Sequence, residues 1–345
     1  VPGRDEGGQG VRLQFHPGGT DVRLQAGEGT LALASIGLCF PFVTLITAFA
    51  NLFGLGGAPL CAMARGKGNR EGAQGIMVNA GFMLLLSGAV LTVLGIAFHR
   101  PLLYLFGASE VTYPYASSYI VIYLLGTLCV MLSLGLNPYI NCQGFARTGM
   151  LTVALGAAAN IVLDPIFIFA LHLGVRGAAI ATVLSQFLSA AWVVKFLTGK
   201  KAELKLDFRG FRPDRQCIQR ITVLGIASFV MSFTDMLVQV ACNSMLRGFG
   251  GDLYISVMTV LNSVRQIAQT PVLAIADGAS TAISYNYGAG LYKRTRDAIR
   301  FMTQIAIGYT MLVWMLVSLF PALFIRIFNQ DAELVAAAVP ALHIY

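Results

Sequence analysis

Eight stretches of this chain are long and apolar: 31–64, 75–98, 119–136, 149–173, 177–194, 221–246, 253–287 and 301–325. Each is about long enough for a helix to cross the ~30 Å hydrocarbon core of a bilayer. Inside lipid no water is on hand to satisfy main-chain N–H and C=O groups, so every stretch is predicted to be an α-helix. A ninth apolar run, 334–345, has 12 residues and is too short to cross. With 56% hydrophobic residues, 12% charged residues and a mean hydropathy of +0.71, the chain is not a soluble globule. The fold class is all-α, a polytopic membrane helix bundle.

In a soluble protein a net charge of +8 would suggest a nucleic-acid partner, but here the charge is sorted by side. Loops on one side carry Arg65, Lys67, Arg70, Arg147, Lys195, Lys200, Lys201, Lys205, Arg209, Arg212, Arg215, Arg220, Lys293, Arg294, Arg296 and Arg300. Those on the other carry only Arg100, Arg176, Arg247 and Arg326. The first set is therefore expected in the cytoplasm, in a multi-pass protein of the cell inner (plasma) membrane. The longest loop, 198–220, is then cytoplasmic, and its charge run reads as a solvated linker that sets topology. The segment 1–28 is rich in Gly and charge; it has no apolar run to span a membrane and no h-region of a signal peptide.

Positions recur at a fixed offset. Gly29 and Leu31 return as Gly251 and Leu253, Gly56 as Gly278, Gly66-Lys67-Gly68 as Gly288-Ala289-Gly290, and Ile122-Tyr123 as Ile344-Tyr345, every pair 222 residues apart. A constant spacing across about 95 residues marks an internal duplication. The offset covers an even number of spans, so the copies are parallel and form two lobes about an axis along the membrane normal. The domain plan is a polar segment at 1–28, a first lobe at 29–198, a linker at 199–220 and a second lobe at 221–345. The repeat also predicts a counterpart of 221–246 near the N-terminus and counterparts of 149–194 beyond residue 345. The sequence therefore reads as a fragment of a twelve-span protein, truncated at both ends.

The most informative chemistry lies in 137–186, NPYINCQGFARTGMLTVALGAAANIVLDPIFIFALHLGVRGAAIATVLSQ. Asp164 is the only charge in 149–173, with histidine taken as neutral. An ionised carboxylate at membrane depth costs at least ~2.5 kcal/mol, so Asp164 is expected to face a cavity or a partner. Asn160 stands one helical turn earlier on the same face, and Thr182 in the next span completes an oxygen-rich cluster. In a low-dielectric cavity such a carboxylate can exchange a proton or bind Na⁺. The alternative is a helix kinked at Pro165, with Asp164 capping the freed main-chain groups.

Asp235 is the only charge in 221–246. Asp277 and Arg265 share one span but lie about 18 Å apart along a helix, too far to pair. A structural reading pairs Arg265 with Asp235 and puts Asp277 near the cytoplasmic end; a functional one sets both at a central cavity. Pro271 is expected to break or bend its helix, and Pro41 to bend its own. Phe229, Met231, Phe233 and Met236 either line a pocket for lipophilic cations or belong to the core and the lipid face. Cys39, Cys61, Cys129, Cys142, Cys217 and Cys242 form no CxxC pair and read as core residues, and the four histidines show no metal spacing. The glycines of 54–57 and 66–68 follow no strand and are not phosphate loops. The intramembrane acids are spread over three spans without a nucleophile, so the chain is not read as an enzyme.

In NPYINCQGFARTGM, NIVLDPIFIF and GVRGAAIATVLSQ the chain resembles the multidrug and toxic compound extrusion (MATE) transporters, with weaker similarity from about Gly29 to Tyr345. The resemblance implies twelve helices in two lobes and antiport: export of organic, often cationic, drugs in exchange for Na⁺ or H⁺, with no cofactor. It implies a first-lobe cation site, open to Na⁺, at Asp164, Asn160 and Thr182. The family usually adds an Asp on a first helix that this sequence lacks. It places at Asp235 an acid of the second lobe, where some members carry Glu, and leaves Asp277 and Arg265 to shape the cavity. Expected partners are small organic cations and the lipid bilayer, not nucleic acid; the coupling ion and oligomeric state are not legible. A flippase for lipid-linked oligosaccharides stays open as an alternative, although its cargo would favour more intramembrane basic residues than Arg265. An inactive fragment is the third reading.

Overall fold

In the computed structural model the described residues, 35–328 and 332–344, form helices joined by short turns, with no strand among them. The polar segment 1–28, the repeat positions Gly29 and Leu31, and Tyr345 lie outside the described residues. Helix α1 (Phe40–Gly66) is preceded by a turn of helix from Ser35, and together they are long enough to cross a membrane. Pro41 does not bend this span at depth, as expected from the sequence. It stands in the first turn of α1, where its missing N–H costs nothing, and the break falls just before it at Leu38 and Cys39. Helix α2 (Arg70–Leu105) starts after a turn at Gly68 (φ 76°); Asn69 caps it by accepting from the Gly72 N–H at 2.8 Å.

The expected span 119–136 is instead two helices, α3 (Tyr113–Leu125) and α4 (Thr127–Cys142), bent by 54° at Gly126. Helices α5 (Ala146–Pro165) and α6 (Gly174–Thr198) follow. At the bend α6 packs closely: a Cβ on Gly126 would come within 2.6 Å of the Val183 side chain. Only a glycine lets the two elements approach so closely. Close approach is the rule here, because lipid supplies no hydrophobic drive between helices and association depends on packing. Thus Gly54 of α1 sits against the Gly135 main chain of α4, and the fully buried Tyr139 donates from its hydroxyl to the Phe53 carbonyl at 2.8 Å. Outward faces of α5 and of α8 (Tyr292–Leu319) leave Ile161, Val162, Met311 and Trp314 exposed, as lipid-facing residues should be.

One run of helix, α7 (Arg215–Gly288), contains both expected spans 221–246 and 253–287. It is not straight. Gly225 packs on the Leu52 carbonyl and Gly288 on the Met63 carbonyl. These α1 residues are roughly 16 Å apart along their helix, whereas Gly225 and Gly288 would be roughly 95 Å apart on a straight one. The run therefore doubles back into two arms, and the first, Arg215–Val238, is long and apolar enough to cross a membrane. Pro271 lies within continuous helix in the second arm, so of the two expected outcomes it does not break the helix. The expected span 301–325 stops at Leu319, and Pro321 opens a short helix, α9 (Pro321–Phe328). Helix α10 (Ala332–Ile344) packs Ala338 beside Ile325 and the start of the second arm, Val257, Val260 and Leu261.

The largest departure is the linker. Its charged side chains are exposed, as expected, but its main chain and apolar residues lie folded on α1, α2 and α4. The Leu204 N–H donates to Gln143 Oε1 and the Asp214 N–H to Asn79 Oδ1, both at 2.9 Å. Arg70 donates to the Glu203 carbonyl at 2.6 Å, and Arg65 pairs with the Glu203 carboxylate. Leu204 and Leu206 are buried, and Phe208 and Phe211 pack on each other and, through Phe211, on Phe82.

Candidate functional site

Helix α5 puts Asn160 and Asp164 one turn apart, and the Asn160 amide donates to Asp164 Oδ1 at 3.1 Å. Asp164 thus uses a side chain as its partner, and it does not cap the main-chain groups freed by Pro165. The helix continues past Pro165 as a wider π-turn (Ile166–Ala170), closed by the Leu171 N–H on the Ile166 carbonyl at 2.9 Å. Such turns occur often at functional sites. The chain then reverses through His172 and Gly174, both at φ 53°. Gly177 presses on the Phe167 carbonyl, where a Cβ would come within 2.5 Å, and this seats α6 directly against the π-turn. The spacing of Gly174 and Gly177 is thereby explained.

Thr182 of α6 donates its own proton to the Ala178 carbonyl at 2.9 Å, which leaves its oxygen free to accept. Near it lies the Tyr119 hydroxyl of α3. The structure joins Asn160 to Asp164 by a hydrogen bond and sets Thr182 beside Tyr119. Tyr119 is 8% exposed and stacks on Tyr123 with ring centroids 6.1 Å apart. A signal for it was present: two tyrosines one turn apart in an apolar span, each with a hydroxyl that needs a partner. The carboxylate of Asp164, the carbonyl of Asn160 and the hydroxyls of Thr182 and Tyr119 are hard oxygen donors. Such a set suits a monovalent cation or a proton better than a soft metal. No group of three His, Cys, Asp or Glu is present among the described residues.

The remaining candidates stand apart from this cluster. Asp235 is exposed on the first arm of α7, Arg265 and Asp277 on the second. Asp235 and Arg265 do not pair; among the described residues the one ion pair is Arg65–Glu203. Below Pro271 a cavity of about 430 Å³ is lined by Ser263, Gln266, Ile267, Thr270 and Pro271, one face of the second arm. Pro271 has no N–H for the Ile267 carbonyl, and the Tyr309 hydroxyl approaches that carbonyl instead at 3.5 Å. Phe229 stacks on Phe233 and meets Phe49 of α1 edge-on at 5.0 Å, while Met231 is exposed.

The MatE family model matches residues 20–166 and 227–345. The chain is 25% identical over 307 residues to the multidrug export protein MepA of Staphylococcus haemolyticus, covering 89% of this chain and 67% of that protein. It is 28% identical over 324 residues to the FAD transporter of Shewanella oneidensis, covering 88% and 68%. Among solved structures it resembles the outward-facing conformation of a multidrug resistance MATE family transporter, with TM-score 0.81 and 26% identity over 90% of this chain and 69% of that one. It also resembles a MOP superfamily transporter from Pyrococcus furiosus described by the reverse polarity of its binding pocket, with TM-score 0.83 and 26% identity over 92% and 71%. The chain spans about two thirds of the length of these relatives.

Proposed function

Because the chain belongs to the MatE family of membrane transporters, we propose that it carries the machinery of an antiporter that exports organic cations in exchange for Na⁺ or H⁺. The observation that carries this reading is the cluster of Asn160, Asp164, Thr182 and Tyr119 in the middle of apolar helices. A carboxylate there is costly unless it holds a proton or a cation, so it switches between two states of charge. Binding of the ion and of the drug would compete, and the two lobes would rock to expose the cavity on alternate sides. The basic end of the bundle, with the linker, is cytoplasmic in this reading. Phe49, Phe229 and Phe233 offer aromatic faces to a lipophilic cation between the lobes. The test is efflux of a fluorescent organic cation from a hypersensitive host, comparing the parent with Asp164→Asn. Equal efflux from both would sink the proposal.

A second reading concerns the cargo. Arg265 is a cation without an acidic partner among the described residues, inside an apolar arm, and one relative is an FAD transporter. An anionic nucleotide would find its counter-charge there, where a cationic drug would be repelled.

A further inference from the structure

At the basic end of the bundle Arg65, near the end of α1, has three neighbours from three parts of the chain. Its guanidinium donates to the Cys142 carbonyl at the end of α4 and to the carboxylate of Glu203 in the linker. Its Cζ lies 5.7 Å from the centre of the Tyr285 ring, in the last turn of the second arm of α7. Directly beside it Gly66 packs against Gly288, the contact at which α1 meets that arm.

We propose that Glu203 is a positioning residue for the cytoplasmic gate: the linker holds Arg65 over Tyr285 and so latches the two lobes closed at this end. The argument starts from the guanidinium. It is a rigid planar fork, so engaging one nitrogen with Cys142 and the other with Glu203 fixes the plane, and the plane sets the contact with Tyr285. One partner alone would leave it free to swing. Glu203 is itself fixed from behind, because Arg70 holds its carbonyl and the neighbouring Leu204 N–H is bound to Gln143. The linker is thus anchored on the first lobe at Arg70, Gln143 and Asn79, and through Arg65 it bears on Tyr285 of the second. The Arg65 side chain is 17% exposed and that of Glu203 51%, so the latch is wet on one side and can be released without unfolding anything. A gate between nearly balanced states needs only a small bias of this kind.

The place of the latch in a transport cycle rests on the export reading; its contacts do not. The experiment uses the full chain in proteoliposomes, with ketone-bearing residues encoded at the exposed positions Lys67 and Ala289 and coupled to spin labels, which leaves the native thiols untouched. These sites flank Gly66 and Gly288. The parent is expected to give one short distance. Glu203→Gln is expected to raise a longer-distance population several-fold, and Glu203→Lys, which repels Arg65 and Arg70, to raise it further. Glu203→Asp should stay close to the parent. If Glu203→Gln and Glu203→Lys both return the parent's distribution, the latch is overturned, even if their thermal stability falls. Should Glu203→Lys fail to insert, Glu203→Gln decides alone. Efflux measured on the same samples separates the two claims. An inert parent whose Glu203→Gln variant still opens overturns export and keeps the latch, whereas an exporting parent without the shift does the reverse.

Discussion

Gly66 and Gly288 face each other across the meeting of α1 with α7, and the contact is symmetrical. A Cβ on Gly66 would come within 2.1 Å of the Tyr285 carbonyl oxygen, and one on Gly288 within 2.1 Å of the Met63 carbonyl oxygen. Residues 63 and 285 are related by the same offset of 222 as the two glycines. The duplication seen in the sequence thus crosses itself at this point. In both directions the obstacle is main chain, which cannot rotate aside. Gly66→Ala or Gly288→Ala should therefore cost about 1–3 kcal/mol or wedge the helices apart. The unfolding midpoint in detergent reads the first outcome. Gly278→Ala is the control, because a Cβ there meets nothing within 4 Å. It should be neutral, or gain up to about 1 kcal/mol from helix propensity.

Tyr139 gives a test of the α1–α4 packing. It is fully buried, and its hydroxyl donates to the Phe53 carbonyl. Tyr139→Phe keeps the ring and removes the donor, so a loss of about 0.5–1.5 kcal/mol is expected. Gly57→Ala should cost more, since its Cβ would fall on that same hydroxyl. Thermal unfolding of the two variants side by side checks the order.

The long elements were legible because hydropathy sums over a whole span, and the doubling of α7 was legible because Arg247 to Asp252 interrupts two apolar runs. The bend at Gly126 was not, since the close packing there involves Val183, a residue on another helix. The docked linker was hidden by its charge. Yet Ala202, Leu204 and Leu206 are buried and alternate with the exposed Lys201, Glu203 and Lys205, the period of an extended segment with one apolar face. At the site, Asn160, Asp164 and Thr182 stood out as polar groups in apolar helices. Tyr119 did not, because a tyrosine is at home in an apolar span until its hydroxyl is given a neighbour.

At that site the expected order of damage follows from charge. Asp164→Asn removes the group that changes its charge and should reduce ion-driven efflux to background while the protein still inserts. Tyr119→Phe and Thr182→Val each delete one neutral oxygen and should weaken coupling by a few-fold, seen as a higher ion concentration for half-maximal transport. Asn160→Ala frees the Asp164 oxygen it now binds, so it should shift that concentration as well. Proteoliposomes with an imposed Na⁺ or pH gradient measure all four. A Tyr119→Phe variant identical to the parent would remove Tyr119 from the site.

Arg265 decides between the two kinds of cargo. It is exposed in the second arm of α7 and, among the described residues, has no acidic partner within ion-pair distance. A cation approaching it is repelled in a medium where charges are poorly screened, and an anion is attracted. If the cargo is a cationic drug, Arg265→Gln should leave its transport unchanged or raise it several-fold. If the cargo is an anionic nucleotide, the same substitution should lower transport by ten-fold or more, since a desolvated charge contact is worth well over the ~1.4 kcal/mol of a ten-fold change. Counterflow of a fluorescent lipophilic cation and of FAD through the same reconstituted variant gives both readings at once, and opposite responses of the two cargoes would identify the one that passes beside Arg265.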